Sequence, residues 1–443
     1  MSNKRVVVVG SGIAGIAAAY FESIRGNSVT LIDSDARAGG LLKSDLLNGK
    51  YFDYGTHIFA QTGVKELDDF LFSGLNNNNC VITNKLSAAN YFNGVMSCKN
   101  GYVDTSTLQK EVYKQGCQDF LENKELPRGK NLKEVLIQKF GLTFYKHIYK
   151  PLVRKYMGVE SHLLSTQVGS FFDMSRILAF DKKTTKELCE FEVYNEKLGH
   201  HDKEEGANKY YPKNGGVGKI INLLIEKLKQ RNVDIMLATN ITKIQQNSGI
   251  VTSVLVGSKK IYLDKLIWTL PISYLCFLSG MNYKSTPPKF RKTGLYDFIF
   301  ERALNSKANY INVYDFSMLS GRITLYQNLS KTDNYSCTVE VIADDTVKLD
   351  EISKKIKLEL VEMGLVCENN KCTFEQFRPI KNGFPILTTE FMMAQKKLSA
   401  YSENYFKNTM FVGRATGKVF FMNDILLDVY TKIMKPKKQS TNY

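Results

Sequence analysis

The chain has 443 residues, of which 43% are hydrophobic and 23% are charged, and its formal net charge is +16. This length exceeds what one simple core holds, so we expect two or three lobes. No apolar run approaches the roughly 20 residues that cross a bilayer, which excludes a transmembrane segment. The first apolar run leads into glycines and not into a cleavage site, so we expect no signal peptide and a cytoplasmic protein.

The positive charge suits an anionic partner: nucleic acid, an acidic membrane or a small substrate. The lysines are spread along the chain, which is typical of solvated surface charge, and no nucleic-acid module is recognised. The net charge then favours a small anionic substrate, and we expect no nucleic acid. The one local basic run is residues 432–438, whose contact with a membrane stays open. The eight cysteines and five histidines show no metal-ligand spacing, so we expect free thiols and no metal.

The first motif is a glycine-rich turn between a strand and a helix. Residues 4–9 form a β-branched apolar run typical of a buried parallel strand. Gly10, Gly12 and Gly15 follow at the spacing in which the first glycine makes a tight turn, the second admits a pyrophosphate and the third lets helix and strand pack closely. The N–H groups at the helix start then face the phosphates.

A second predicted strand, residues 28–32, ends at Asp33, near the offset at which a carboxylate takes the ribose hydroxyls. These features predict a dinucleotide site, with NAD and FAD both open at this point. The glycine pair Gly39-Gly40 and the stretch 51–59, which contains Gly55-Thr56-His57, come next. Taken alone, the pair could be a surface turn.

With these segments the sequence resembles the FAD superfamily that includes amine oxidases, protoporphyrinogen oxidase and UDP-galactopyranose mutase. In that superfamily the glycine pair contacts the dinucleotide and the Gly-x-His stretch lies along the isoalloxazine. The resemblance implies FAD as the cofactor. The residues that it places against FAD are Gly10, Ser11, Gly12, Ala14, Gly15, Asp33, Ser34, Gly39, Gly40, Leu41, Leu42, Thr56, His57, Ile241, Gly413, Arg414, Asn423, Asp424 and Ile425.

The middle of the chain is similar to the helical insertion of protoporphyrinogen oxidase-like and mutase-like flavoproteins. On its own, the stretch 140–159 predicts an amphipathic helix interrupted at Pro151. A Gly-rich turn then precedes a predicted helix at 220–229, and strands within 233–244 and 265–270 return the chain to the dinucleotide site.

Strand-like runs dominate between about 276 and 385, at 310–314, 322–325 and 337–342, with a helix at 349–363. A last strand ends at Gly413-Arg414 and leads to a helix at 425–433. In the superfamily the N-terminus of this helix points at the flavin.

Together these elements predict an α/β fold with a discontinuous FAD-binding Rossmann-type domain, a helical insertion and a mixed β-sheet substrate domain. We expect the FAD-binding domain at 1–75, 205–275 and 386–443, the substrate domain at 76–105 and 276–385, and the insertion at 106–204.

Within the superfamily, the stretch 55–59 and the ending Gly413-Arg414 followed by Phe421-Met422-Asn423 are similar to the mutase branch. The run 310–315 with Arg322 after it resembles the mutase stretch that carries a substrate-facing arginine. The Ser-Gly that opens the last helix of amine oxidases is absent.

The chain also departs from the mutase pattern. Ala60 stands where that family has a second histidine, and Phe420 and Phe421 stand where tyrosines are expected to hold the substrate diphosphate. Each lost hydroxyl removes a hydrogen bond to a charged group, on the order of 1.5–3 kcal/mol.

The mutase resemblance implies a nucleotide-sugar substrate in cell-surface polysaccharide biosynthesis. In the mechanism that this resemblance implies, reduced flavin N5 attacks the anomeric carbon and displaces the nucleoside diphosphate. The open-chain sugar then recloses through another hydroxyl, the nucleotide returns to the anomeric carbon, and no net redox occurs. External NAD(P)H stays open as the reductant. The resemblance implies His57, Arg322 and Arg176 as catalytic residues, and Arg176, Arg322, Tyr314, Tyr326 and Arg378 as substrate-binding residues. Each arginine could instead form an ordinary ion pair, and His57 could be a buried structural residue.

Two other functions stay open. The first is an FAD-dependent oxidase or dehydrogenase that removes hydride from an amine, an alcohol or a porphyrinogen-type substrate. The second is a flavin-binding partner protein without chemistry. A homodimer also stays open.

Overall fold

A computed structural model describes residues 3–201, 206–281, 283 and 288–435, so residues 436–438 of the basic run lie outside the described residues. The strands are β1 Arg5–Val9, β2 Ser28–Ile32, β3 Ser44–Leu47, β4 Lys50–Asp53, β5 Phe59–Ala60, β6 Cys80–Thr83, β7 Ala88–Phe92, β8 Val95–Ser97, β9 Val103–Asp104, β10 Ile177–Leu178, β11 Lys209–Pro212, β12 Asp234–Met236, β13 Ile241–Asn247, β14 Ile250–Val256, β15 Lys259–Tyr262, β16 Lys265–Trp268, β17 Phe290–Phe300, β18 Tyr310–Val313, β19 Ser320–Leu325, β20 Ser336–Ala343, β21 Cys372–Pro385 and β22 Thr409–Phe411. The helices are α1 Ile13–Ile24, α2 Lys65–Phe72, α3 Lys110–Glu122, α4 Leu132–Phe140, α5 Leu142–Phe144, α6 Lys150–Met157, α7 Lys182–Leu188, α8 Glu192–Asn195, α9 Gly218–Gln230, α10 Ile272–Leu278, α11 Tyr326–Ser330, α12 Ser353–Glu362, α13 Thr389–Tyr405 and α14 Met422–Met434.

A five-stranded parallel sheet in the order β12-β2-β1-β16-β22 carries the N-terminal glycine motif. β1 lies at its centre and is buried from Val6 to Val9, as the apolar run predicts. Helix α1 packs against the sheet through Ala17, Ala18 and Ala19. A Cβ at Gly15 would lie 1.8 Å from the Gly10 carbonyl oxygen, so only glycine allows helix and strand to approach this closely.

A seven-stranded mixed sheet in the order β21-β17-β20-β19-β18-β7-β8 forms a second layer. Its pairing aligns Asn312 on β18 with Arg322 on β19, and Arg322 with Glu340 on β20. These three polar residues are therefore cross-strand neighbours, and neighbours of this kind are close enough for their side chains to interact.

The helices α3 to α8 form a third layer around Phe144, Tyr149 and Tyr156, all of which are fully buried. The helix that was expected to be interrupted at Pro151 continues through it, so that expectation was wrong. Residues Tyr145–Tyr149 form a π-turn, and Pro151 lies in the first turn of α6. At that position a proline is tolerated because its missing N–H is not needed.

The observed architecture confirms the predicted α/β fold class with its Rossmann-type sheet and additional sheets. The predicted helix at 349–363 is divided into a 3-10 turn, Leu349–Glu351, and α12. Across the described ranges, no helix has both the length and the apolar character needed to cross a bilayer.

Candidate functional site

A cavity of about 560 Å³ lies where the β1–α1 turn, the loop after β4 and the segment before α14 meet. One end is lined by small residues and the other by aromatic rings and charged groups. The lining residues are Gly12, Ile13, Ala14, Gly39, Gly40, Leu41, Leu42, Thr56, His57, Ile58, Ala60, Phe171, Phe172, Thr269, Arg322, Phe384, Gly413, Arg414, Phe420, Phe421, Met422, Asn423 and Ile425.

Gly12 shows how the small-residue end fits a dinucleotide. Its φ of −68° suits any residue, and a Cβ built there meets no atom of the described residues within 4 Å. The described part of the chain therefore gives no reason for a glycine at this position. Open space beside the unpaired N–H groups of a helix start is what a pyrophosphate needs.

A second, smaller hollow of about 50 Å³ adjoins the same turn and is lined by Asp33, Ser34 and Ile241, among others. Gly10 turns here with a φ of +98°, a conformation that favours glycine. The Asp33 carboxylate accepts hydrogen bonds from the backbone N–H and the hydroxyl of Ser11, at 2.6 and 2.7 Å. These contacts fix the carboxylate at the strand end and leave lone pairs for further donors.

His57 lies on the loop after β4, half-buried against the cavity. Burial, followed by the charges of Arg414 and Arg322, lowers the pKa of His57 to about 4, so the ring is neutral at pH 7. Its neighbour Thr56 donates its backbone N–H to Glu340 at 2.9 Å, which ties this loop to the mixed sheet.

Arg322 reaches the cavity from β19, and its Nε donates to Asn312 Oδ1 at 3.0 Å. Burial opposes its charge, but Glu340 and Asp173 outweigh that effect and raise the pKa of Arg322 above its ordinary value. The guanidinium is therefore a permanent cation at the aromatic end of the cavity.

The C-terminal segment closes the cavity. Arg414 lies 4.5 Å from the centre of the Phe420 ring and donates from Nε to the Phe420 carbonyl oxygen. Asn423 and Ile425, in the first turn of α14, line the cavity, whereas Asp424 lies in the same turn but is not part of the lining.

Four residues predicted to bind substrate lie outside the cavity lining. Arg176 donates to the carbonyl oxygens of Asn195 and Leu198, so its guanidinium ties the helical layer together. Arg378 is buried and donates to the carboxylates of Asp297 and Asp45. The first expectation for both residues, an anion clamp, does not match these contacts, because neither residue lines the cavity. The Nη1 group of Arg176 bonds to carbonyl oxygens, and Nε, Nη1 and Nη2 of Arg378 are all engaged.

The two tyrosines are similarly engaged. The Tyr314 hydroxyl is buried and donates to the carbonyl oxygens of Gly101 and Phe172. The Tyr326 hydroxyl accepts from the Asp53 backbone N–H at 2.8 Å and contacts Thr338. Both tyrosines therefore have structural contacts with residues near the cavity and do not line it.

The sequence analysis did not single out Phe171, Phe172 and Phe384, which form the aromatic end together with Phe420. Phe171 packs on Phe420 at 4.3 Å and Phe172 on Phe384 at 4.8 Å. These residues come from three distant stretches of the chain, so no local motif marks them.

Comparison with known proteins agrees with this geometry. Residues 8–71 match the family described as an NAD(P)-binding Rossmann-like domain. Protoporphyrinogen oxidase 2 of Arabidopsis thaliana is 44% identical over 61 residues, and hydroxyneurosporene desaturase of Rubrivivax gelatinosus is 42% identical over 64. Each match covers 14% of this chain and only 12% of the relative's length.

Solved structures match along nearly the whole chain. Reduced UDP-galactopyranose mutase superposes with a TM-score of 0.78 at 16% identity and covers 98% of this chain and 93% of its own. This chain has that fold. A protein of Exiguobacterium sp. described as a protoporphyrinogen oxidase shares the fold with a TM-score of 0.69 at 16% identity, covering 98% of this chain and 99% of its own. The predicted resemblance to the mutase and oxidase superfamily is thereby confirmed at the level of the fold.

Proposed function

We propose that this chain is an FAD-dependent enzyme that acts on a nucleotide-linked sugar by a mutase-like isomerisation of the sugar ring. The observation that carries the proposal is that one cavity joins two features. These are the cradle, which is the end lined by Gly12, Gly39, Gly40 and Gly413, and the guanidinium of Arg322. A cofactor held at the cradle and an anion held at Arg322 would meet in this cavity, beside His57. The proposal places the protein in the cytoplasm, in polysaccharide biosynthesis, and leaves NAD(P)H as its reductant.

The cofactor's position follows from the chain's own groups. Gly12 leaves open space beside its backbone, and Gly39, Gly40 and Gly413 line the same cavity. Asn423, in the first turn of α14, also lines it. When bound and reduced, FAD supplies an electron-rich ring that can displace a nucleoside diphosphate from a sugar.

The remaining tasks belong to side chains. Arg322 presents a fixed cation to a phosphate, and a planar guanidinium suits two oxygens at once. Arg414 adds a second positive charge near His57. Because His57 is neutral, it can donate or accept one hydrogen bond without adding a third charge. The aromatic rings exclude water around these groups.

The same aromatic end favours a second candidate, an oxidase or dehydrogenase of an apolar substrate. Phe171, Phe172, Phe384 and Phe420 offer phenyl rings and no hydroxyls to a ligand. A sugar diphosphate normally meets hydrogen-bonding groups, whereas a flat apolar substrate packs well on such rings.

The deciding experiment is the absorbance spectrum of the purified protein, oxidised and then reduced with dithionite, while UDP-galactose is titrated into each form. We expect a flavin spectrum, tighter binding to the reduced form and a furanose product. Anaerobic bleaching of the oxidised flavin by an amine, alcohol or porphyrinogen would instead favour the oxidase. Absence of flavin binding after addition of FAD would refute both candidates.

A further inference from the structure

Among the described residues, the Arg322 guanidinium makes one hydrogen bond and lies near two aromatic rings. Its Nε donates to Asn312, and its guanidinium carbon lies 5.7 Å from the Phe172 ring centre and 5.8 Å from that of Tyr310. Within the described part of the chain, its Nη atoms make no hydrogen bond. The direction in which these donors point therefore depends on the hydrogen bond to Asn312, together with the charges of Glu340 and Asp173.

Asn312 can be oriented in only one way. Its side chain is 1% exposed, and its Nδ2 donates to Asp173 Oδ2 at 2.6 Å and to the Gly101 carbonyl oxygen at 3.0 Å. Because both partners are acceptors, the amide nitrogen must face them. The amide oxygen then faces Arg322, so Asp173 and the Gly101 carbonyl group together orient the acceptor that the guanidinium meets, and Asp173 makes the shorter of the two contacts.

Asp173 reaches Asn312 through an unusual turn. Phe172 has φ +52° and ψ +36°, and Asp173 has φ +55°, so two successive non-glycine residues adopt the left-handed conformation. Such residues persist only where surrounding contacts hold them, and they are concentrated at functional sites.

The contacts that hold this turn are specific. The Phe172 ring stacks on Tyr156 at 4.1 Å, and the Phe172 carbonyl oxygen accepts the Tyr314 hydroxyl at 3.0 Å. The turn directs Phe172 into the cavity and the Asp173 carboxylate toward Asn312, whereas Arg176, three residues later, bonds to the helical layer.

We propose that Asp173 is a positioning residue for Arg322, acting through Asn312, and that the left-handed pair Phe172-Asp173 exists to place it. The relay fixes the free Nη atoms toward the anionic part of the ligand before that ligand arrives. The choice of a nucleoside diphosphate as this ligand rests on the proposed function, but the relay itself does not.

The test compares Asp173→Gly with Asp173→Asn in the FAD-loaded, dithionite-reduced protein, with UDP as the probe. Glycine removes the acceptor and also relieves the left-handed backbone, whereas asparagine keeps an acceptor oxygen and tolerates that backbone. We expect about 10-fold weaker UDP binding for Asp173→Gly and less than about 3-fold for Asp173→Asn. Flavin content and melting temperature should not fall in either variant.

A double-mutant cycle separates positioning from a general structural effect. In an Arg322→Lys background, Asp173→Gly should weaken UDP binding by less than about 2-fold, since lysine cannot make the Nε contact. An equal loss in both backgrounds, or wild-type binding by Asp173→Gly, would overturn the proposal.

If the wild-type protein does not bind UDP, the proposed substrate fails, and crystal structures then test the relay. In Asp173→Gly we expect the Asn312 amide and the Arg322 guanidinium to leave their wild-type positions. An unchanged Nε contact between Arg322 and Asn312 would overturn the relay.

Discussion

At the scale of single residues, the pKa of His57 predicts how the stability of the protein depends on pH. Its pKa is about 4 in the folded protein, because of burial and the two nearby arginines, against about 6.5 in an unfolded chain. As the pH falls through this window, the unfolded chain takes up a proton that the folded chain does not, so stability is lost. Above about pH 6.5 both states are neutral there and His57 adds no pH dependence.

We therefore expect the flavin-free wild type to lose about 1–2 kcal/mol more unfolding free energy than His57→Gln between about pH 7 and about pH 5. Urea denaturation at the two pH values measures this difference. Buried Asp53, whose pKa is raised to about 6 mainly by burial, acts in the opposite sense and is common to both proteins. Parallel pH curves for the two proteins would contradict the prediction.

A variant of Arg378 shows whether this residue binds the substrate or stabilises the fold. Its Nε donates to Asp297, which is fully buried, and its Nη2 donates to the Asp53 carbonyl oxygen at 2.8 Å. We expect Arg378→Met to cost about 3–5 kcal/mol of unfolding free energy, because it leaves the Asp297 carboxylate buried without its partner.

The matched control is Arg378→Met combined with Asp297→Asn, which removes the stranded charge and should recover part of the loss. Chemical denaturation measures both variants, and UDP titration of the folded protein measures binding. If Arg378→Met were stable but unable to bind UDP, Arg378 would be a substrate residue after all.

At the scale of elements, Gly12 in the β1–α1 turn and Gly15 in α1 are both glycines, but the structure gives a different reason for each. A Cβ at Gly15 would collide with the Gly10 carbonyl oxygen, whereas a Cβ at Gly12 would enter open space. We expect Gly15→Ala to destabilise the flavin-free protein by more than about 2 kcal/mol. Gly12→Ala should change that stability by less than about 1 kcal/mol and should strongly weaken FAD binding.

Unfolding of the flavin-free proteins and titration with FAD distinguish the two effects. Equal FAD affinity in Gly12→Ala and wild type would show that the open space beside Gly12 is not used by the cofactor. That result would remove the main support for the cradle.

At the scale of the whole molecule, the net charge of +16 gives a prediction about salt. A positive field attracts an anionic ligand, and salt screens that attraction over about 8–10 Å. We expect the affinity for UDP to fall by several-fold with added NaCl and the affinity for uncharged uridine to stay constant. Calorimetric titration at increasing salt measures both, and equal salt dependence would exclude charge steering of the ligand.

Much of the fold could be predicted because its signals are local. The run at residues 4–9 and the glycine spacing after it predicted β1, its turn and α1, and their packing follows from the same few residues. The exit strand with Gly413 and the helix after it were predicted likewise, although α14 begins at Met422 and not at 425. The π-turn before Pro151 was missed, since it depends on aromatic packing within the helical layer.

The sequence by itself determined the dinucleotide-binding unit, because glycine spacing and strand ends are features of neighbouring residues. His57 and Arg322 were expected only from the family resemblance of the stretches around them. Only the tertiary structure decided which arginines face the cavity. Arg176 and Arg378 were expected to bind the substrate together with Arg322, but neither lines the cavity. Arg176 Nη1 bonds to carbonyl oxygens, and Arg378 bonds to a buried carboxylate. The aromatic end and the contact of Asp173 with Asn312 join residues far apart in the chain. Such contacts arise from strand register and from a left-handed turn that the Tyr156 ring and the Tyr314 hydroxyl hold in place.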